Sequence, residues 1–93
     1  MTERQLQDAV VELARLLGWR LFHTFDSRKS EAGFPDLCLV RRGRLIFAEL
    51  KTEVGVASQS QTAWLEDLSR TPAEVFIWRP EHWTSGEIER RLR

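Results

Sequence analysis

The sequence predicts an α/β fold in which helices flank a small mixed β-sheet, with a core of element order αβββαβ and one further C-terminal helix. Three observations support this fold class. An amphipathic helical pattern opens the chain, two β-rich runs surround a Gly-containing turn at its centre, and a second helix and a further strand follow. Ninety-three residues, 42% of them apolar and including four Trp and five Phe, are enough for a single domain, 1–93, with one core.

The first half of the chain divides into a helix, a strand and a polar loop. Thr2 and Gln5 have the spacing of a capping box, and apolar residues then recur at helical intervals as far as Gly18. This pattern predicts a helix over 3–17. Residues 19–25 alternate as a strand does, and 26–33 are mostly polar, which is typical of a loop.

The second half begins with a predicted hairpin, whose strands cover about 36–41 and 44–51 around the turn residues Arg42 and Gly43. Away from the strand ends both faces of this hairpin are apolar, so we expect helices to cover both sides of the sheet. Ser58 and Gln61 form a second capping box, and Thr71-Pro72 ends the helix that it starts. A strand over 74–79 and a helix over about 85–92 complete the chain.

Composition limits the function and location that we expect. The 14 basic and 14 acidic residues cancel, so contact with nucleic acid would be local, at clusters such as Arg28-Lys29 or Arg41-Arg42-Arg44. The single Cys cannot form an intramolecular disulfide, which fits a reducing cytoplasm. The sequence shows no signal peptide, and no apolar run approaches the roughly 18–20 residues of a membrane span. We therefore expect a cytoplasmic protein that does not bind membranes.

The hairpin predicts a group of charged residues at its open end. With Arg42 and Gly43 as the loop, Asp36 lies directly opposite Glu49, and their Cβ atoms are expected roughly 4.5–5.5 Å apart. Facing carboxylates destabilise a sheet unless positive charge lies between them. Lys51 follows Glu49 by two residues and therefore points to the same face. This arrangement suggests a divalent-metal site with a catalytic lysine.

Oxygen ligands of this kind suit Mg²⁺ or Mn²⁺, and the sequence offers no cluster of Cys and His for zinc. Simpler roles compete with the metal site: Asp36 could cap a turn, Glu49 could be a solvated strand residue, and Lys51 could be a surface lysine paired to Glu49 or Glu53. The position of Glu49 in an otherwise apolar run favours the metal site.

Several segments together resemble a known nuclease family. They are Gly33-Phe34-Pro35-Asp36, Phe47-Ala48-Glu49-Leu50-Lys51, Gln61 three residues before Trp64, Val75-Phe76-Ile77-Trp78-Arg79-Pro80, Gly18-Trp19, His23-Thr24 and Asp26-Ser27-Arg28-Lys29-Ser30. The chain resembles, over essentially its whole length, a stand-alone VRR-NUC (virus-type replication-repair nuclease) domain of the PD-(D/E)xK superfamily, of the type found in phages and bacteria. The resemblance implies a restriction-endonuclease-like core and hydrolysis of DNA.

The resemblance also implies roles for individual residues. Asp36, Glu49 and the backbone carbonyl of Leu50 would bind Mg²⁺ or Mn²⁺, and Lys51 would orient or help to deprotonate the attacking water. Gln61 would belong to the active-site set, although a capping-box role alone also explains it.

The resemblance also implies a further metal ligand, a Glu from the first helix. Glu3 lies at the edge of the apolar stripe and is the candidate, although an acid is favourable in a first helical turn in any case.

Ser27, Arg28 and Lys29 are predicted to contact DNA phosphates, because a basic loop before a metal site is where a DNA backbone would run. His23 could be a general base or an ordinary half-buried strand residue. The interpretation is a structure-selective endonuclease that acts as a homodimer on branched DNA, as a Holliday-junction resolvase does. A flap or nicking nuclease of the same fold, or a non-catalytic DNA-binding module, are the alternatives.

Overall fold

The computed structural model describes residues 1–24 and 31–93. A four-stranded sheet has the strand order β1-β2-β3-β4, in which β1, β2 and β3 are antiparallel and β4 runs parallel to β3. The predicted mixed α/β fold is therefore confirmed. Its elements are α1 (Glu3–Leu16), β1 (Arg20–His23), β2 (Leu37–Arg41), β3 (Arg44–Leu50), α2 (Gln59–Ser69), β4 (Glu74–Trp78), α3 (Pro80–Thr84) and α4 (Glu87–Leu92).

The central hairpin has the predicted two-residue loop. Arg42 and Gly43 both have positive φ, 48° and 80°, as a type I′ turn requires. Arg41 pairs with Arg44 and Leu37 pairs with Ala48, so the predicted register is confirmed along the whole of β2.

One face of the sheet, here called the inner face, carries the main core. Leu37 and Leu39 of β2 alternate with residues of the other face, and Ile46 and Ala48 lie beside them on β3. Helices α1 and α4 bring apolar side chains onto this face, and α1 begins with the predicted capping box. The buried core cluster is Leu6, Val10, Ala14, Trp19, Leu37, Leu39, Ile46, Ala48, Leu50, Trp78, Ile88 and Leu92.

The opposite face, here called the site face, is covered by the described residues over only half its width. Helix α2 connects β3 to β4 and packs there, with Phe34 inserted edge-on between Phe47 and Trp64. On the other half Phe22, Val40 and Leu45 are exposed. The expectation that helices cover both sides is therefore wrong for β1 and β2, because α1 and α4 both pack on the inner face.

The C-terminal segment forms two short helices where one was predicted. Pro80 ends β4, as expected, but it is also the first residue of α3. Gly86, with a φ of 81°, separates α3 from α4. Ile88 and Leu92 are buried, as the helical pattern predicts.

Trp19 joins the start of the sheet to the C-terminus. It precedes β1, which is shorter than the predicted strand, and its indole Nε1 donates to the Leu92 carbonyl at 2.8 Å. The guanidinium groups of Arg41 and Arg44 lie 4.7 and 5.0 Å from the ring centre. Arg44 also forms a two-pronged ion pair with Glu74, both hydrogen bonds being 2.8 Å long. Two of the three arginines in the predicted hairpin cluster thus hold the fold together.

Across the described ranges, 1–24 and 31–93, no helix is both long and apolar enough to cross a membrane.

Candidate metal centre

The candidate site lies where β2 begins and β3 ends. Asp36 immediately precedes β2, and the hairpin register continued by one pair places it opposite Glu49. Asp36 is held in place from both neighbouring strands. The Leu50 N–H donates to its carboxylate Oδ2 at 2.8 Å, and the Thr24 N–H donates to its backbone carbonyl at 3.0 Å. The position of this carboxylate is therefore fixed by the sheet.

Glu49 is a buried carboxylate in an apolar strand, with only 2% of its surface exposed. Its Oε2 accepts a hydrogen bond from Gln61 Nε2 at 2.9 Å and lies 3.4 Å from Lys51 Nζ. Its Oε1 is buried and, among the residues that the structure describes, has no hydrogen-bond partner. A buried oxygen of this kind is costly unless something else binds it.

The surroundings of Glu49 favour its neutral form. Burial, together with the charge of Asp36, raises the pKa of Glu49 from 4.5 to about 7, and the ammonium of Lys51 opposes this rise. A cation bound between the two carboxylates would offset both causes, because its positive charge favours the ionised form of Glu49.

Lys51 is close to Glu49, as the sequence predicts. Its side chain is 13% exposed, which is low for a lysine on a small domain. Of the competing interpretation, a surface lysine paired to Glu49 or Glu53, the structure has the pairing with Glu49, at 3.4 Å, but not the surface exposure.

Gln61 makes the contacts that both of its predicted roles would need. Its backbone N–H and its Oε1 complete the capping box with Ser58, at 3.2 and 2.8 Å, while its Nε2 reaches Glu49. The capping box thus fixes the side-chain amide that orients Glu49. The two interpretations are compatible because they use different ends of one amide group.

Gly33 positions the first turn of α2 against the site, a role that the sequence reasoning did not assign to it. It has a φ of +87°, and a Cβ atom there would lie 2.5 Å from the Ser60 carbonyl and 2.7 Å from the Gln61 nitrogen. Trp64 adds a hydrogen bond from its indole Nε1 to the Ala32 carbonyl, 3.1 Å long. The available signal was the Gly before Phe34, which allows a close approach of two backbones.

Arg79 was also missed as a supporting residue. Its Nη1 donates to the carbonyls of Thr52 and Gly55, at 2.6 and 2.7 Å. This contact anchors the loop that leaves the site directly after Lys51. A charged residue after an apolar strand was the signal, but the spacing of the two segments gives no hint of the contact.

The remaining predicted residues are not all brought together. Glu3 is exposed in the first turn of α1, and among the described residues no three His, Cys, Asp or Glu side chains form a group that could hold a metal ion. Glu3 therefore does not join Asp36 and Glu49 in such a group, and its role stays a prediction, as does that of the Leu50 carbonyl. His23 pairs with Leu37, which places it on the inner face, away from the carboxylates.

Ser27, Arg28 and Lys29, the predicted phosphate contacts, lie outside the described residues.

The donor set fits a hard divalent cation. Two carboxylates from adjacent strands face one another, and one buried oxygen of Glu49 is unpartnered within the described part of the chain. Oxygen donors of this type match the preferences of Mg²⁺ and Mn²⁺.

Comparison with known proteins gives a consistent result. The model of the VRR-NUC domain family matches residues 2–80. A solved structure described as a VRR_NUC domain protein superimposes with a TM-score of 0.68, at 19% identity, over 85% of this chain and 78% of that one. No curated protein matches the chain.

Proposed function

The chain belongs to the VRR-NUC domain family and has its nuclease-type fold, and from this premise we propose that it is a Mg²⁺- or Mn²⁺-dependent endonuclease that hydrolyses DNA phosphodiester bonds, with a preference for branched DNA. The observation that carries the proposal is the buried Glu49 carboxylate, which has an unpartnered oxygen among the described residues, faces Asp36 and contacts Lys51. A domain without a cation or a reaction has no use for this arrangement, because it costs stability.

Each side chain has a defined task in the proposed reaction. Asp36 and Glu49 would hold the cation, together with the Leu50 carbonyl, and Glu3 of α1, which lies apart from them in this structure, is the candidate for a further ligand. When bound, the cation lowers the pKa of a water ligand and neutralises phosphoryl charge. Lys51 would orient the attacking water and stabilise negative charge on the phosphate, since an ammonium group only donates hydrogen bonds.

Gln61 supports the centre from α2. Its amide N–H donates to Glu49 and leaves that carboxylate an acceptor for a cation on its other oxygen. We propose that it positions Glu49, and that Ser27, Arg28 and Lys29 bind the DNA backbone.

The test is cleavage of matched substrates by purified variants. Flap, nicked, Holliday-junction and linear DNA are incubated with Mg²⁺, with Mn²⁺ or with EDTA. Wild type should cleave only with a cation and should prefer a branched substrate. Asp36→Asn and Lys51→Ala should each lose activity by orders of magnitude while they remain folded.

Two surface variants serve as matched controls for that experiment. Asp67→Asn removes an exposed carboxylate of α2, and Arg90→Ala removes an exposed cation of α4, which packs on the inner face, so both should cleave like wild type. Equal activity of wild type and Lys51→Ala would contradict the mechanism. Binding without any cleavage would instead identify a DNA-binding module, and cleavage confined to flaps or nicks would identify the alternative nuclease.

A further inference from the structure

The half of the site face that no described helix covers carries an exposed aromatic side chain beside the candidate metal centre. Phe22 of β1 is 65% exposed, the highest value for any aromatic residue among those described, although a Phe normally buries its large ring. Arg20, two residues earlier on the same strand and face, is also exposed. Phe22 makes no contribution to the main core.

The sheet register fixes the distance from Phe22 to the carboxylates. Phe22 pairs with Cys38, and Thr24 lies beside Asp36, to which it is hydrogen-bonded through the backbone. Asp36 is thus the diagonal neighbour of Phe22 on the same face. Diagonal neighbours on a sheet have Cα atoms roughly 7–8 Å apart, which is within reach of an aromatic side chain. A group bound at Asp36 therefore has the ring of Phe22 next to it.

We propose that Phe22 is a stacking surface for an unpaired base of the DNA substrate, at a nucleotide close to the phosphate held at the metal centre, and that Arg20 contacts the backbone of the same strand. This inference rests on the proposed function. Bases stack on exposed aromatic rings of β-sheets in a sequence-tolerant way, and a neighbouring Arg adds backbone contact. A fully paired duplex has no free base face to offer, so Phe22 would favour branched or frayed DNA.

Charge and size favour DNA over a second copy of the chain as the occupant. The other exposed apolar residues of this surface, Val40 and Leu45, are only 45% and 37% exposed, so the apolar surface is small. A two-fold contact here would also bring two Arg20 side chains together, and the acid beside them on this face, Asp36, is a proposed ligand of the cation and not a free partner for Arg20. The negative backbone of DNA complements Arg20 directly.

The experiment measures DNA affinity for three variants of one position. Wild type, Phe22→Ala, Phe22→Leu and Phe22→Trp are titrated in Ca²⁺, which blocks cleavage, against a flap oligonucleotide and a fully paired duplex of equal length. Leu45→Ala is the matched control, because Leu45 is an exposed apolar residue of the same face that lies farther from the site. Circular dichroism confirms folding, and light scattering reports the oligomeric state of each variant.

The expected result is a reduced affinity for unpaired DNA alone. Phe22→Ala and Phe22→Leu should bind the flap at least about fivefold more weakly, with duplex affinity unchanged, because one stacked base contributes that much or more. Phe22→Trp should bind the flap like wild type, since it restores the ring, and so should Leu45→Ala.

Three results would overturn the stacking role. The first is that Phe22→Leu binds the flap as tightly as wild type. The second is that Leu45→Ala lowers the flap affinity as much as the Phe22 variants do. The third is that Phe22→Ala changes the oligomeric state, which would assign the surface to a second copy of the chain. Cleavage by wild type in Mn²⁺ is measured in parallel. If wild type cleaves but the Phe22 series binds the flap equally, only the stacking proposal fails. If wild type cleaves nothing, the proposed function fails, and the affinities still decide whether Phe22 stacks on a base.

Discussion

At the scale of single residues, Glu49 is the group whose environment most needs explanation. A carboxylate with 2% exposure loses its hydration, and from the described residues it gains one short hydrogen bond and a 3.4 Å contact with Lys51. Neither contact uses Oε1. The fold therefore tolerates a locally unfavourable arrangement, which is typical of positions that function rather than packing has selected.

The first prediction at this scale is a pH dependence of stability in the metal-free protein. Because the pKa of Glu49 is raised to about 7, the folded state retains its proton where the unfolded state, with a pKa near 4.5, has lost it. The free energy of unfolding should therefore fall between these two pH values, by up to about 3 kcal/mol. Denaturant titrations in EDTA from pH 4 to 8 measure this.

Glu49→Gln provides the comparison for that titration, because Gln has a similar shape and no proton to lose. The fall in the free energy of unfolding that is assigned to Glu49 should be missing in this variant. The variant should also be more stable than wild type at pH 8. If both proteins show the same pH profile, the titrating group is not Glu49.

The second prediction is that a bound cation stabilises the fold. A ligand that binds only the folded state adds roughly 2.7 kcal/mol at a hundredfold excess over its dissociation constant. Thermal melts with Mn²⁺ should show this increase at pH 7.5 for wild type and should show none for Glu49→Gln and Asp36→Asn. A cation-induced shift that persists in both variants would place the ion elsewhere.

At the scale of elements, the sequence was sufficient wherever a local rule applied. The capping boxes at Thr2 and Ser58 and the Arg42-Gly43 turn each fix a boundary or a register through neighbouring residues alone. Register then predicted that Asp36 faces Glu49. The contacts that hold the site residues in place were not predictable in the same way. The contact of Gly33 with α2 joins segments nearly thirty residues apart, and no local pattern reports it.

The sequence pattern also led to a wrong expectation about how much of the sheet is covered by helices. Apolar residues such as Val40 and Leu45 on the second face of the hairpin suggested a helix above them, whereas they remain partly exposed. Alternation of apolar and polar residues shows only which residues share a face of the sheet. Which helix covers that face depends on the side of the sheet to which the connecting segments carry the chain.

The third prediction concerns the approach of Gly33 to α2. Gly33→Ala should displace the first turn of α2, because its Cβ would meet backbone atoms at 2.5 Å, and the Gln61–Glu49 hydrogen bond should break. Stability should fall by clearly more than the roughly 1–2 kcal/mol that a left-handed backbone costs an L-residue. Urea denaturation and cleavage assays both report the change.

Gly43→Ala is the matched control for this substitution. Gly43 has a φ of +80°, close to that of Gly33, but a Cβ atom there would meet nothing within 4 Å. Gly43→Ala should therefore show only the conformational cost and retain full cleavage activity. Equal destabilisation of the two variants would show that the close approach to α2 contributes nothing.

At the scale of the whole molecule, charge limits how the protein can hold DNA. The net charge is zero, and Arg41 and Arg44 are occupied at Trp19. One protomer therefore offers a small basic surface, of which Arg28 and Lys29 are the predicted part. A two-fold dimer would double this surface and present two metal centres to two strands of a branched substrate.

The last prediction is that the protein binds branched DNA as a homodimer, mainly through phosphate contacts. Affinity in Ca²⁺ should fall steeply with salt, because each neutralised phosphate releases counterions. The logarithm of the affinity should fall less steeply with the logarithm of the salt concentration when Arg28 and Lys29 are replaced by Ala. The slope should decrease in size by about 0.9 for each phosphate that the variant no longer neutralises. In a dimer the decrease should be twice as large, because both copies carry the substitutions. Arg90→Ala, on the exposed side of α4, is the control and should leave the slope unchanged. Light scattering that shows a monomer both free and on DNA would contradict the dimer, and since a monomer carries one metal centre, it would favour cleavage of a single strand at a flap or nick.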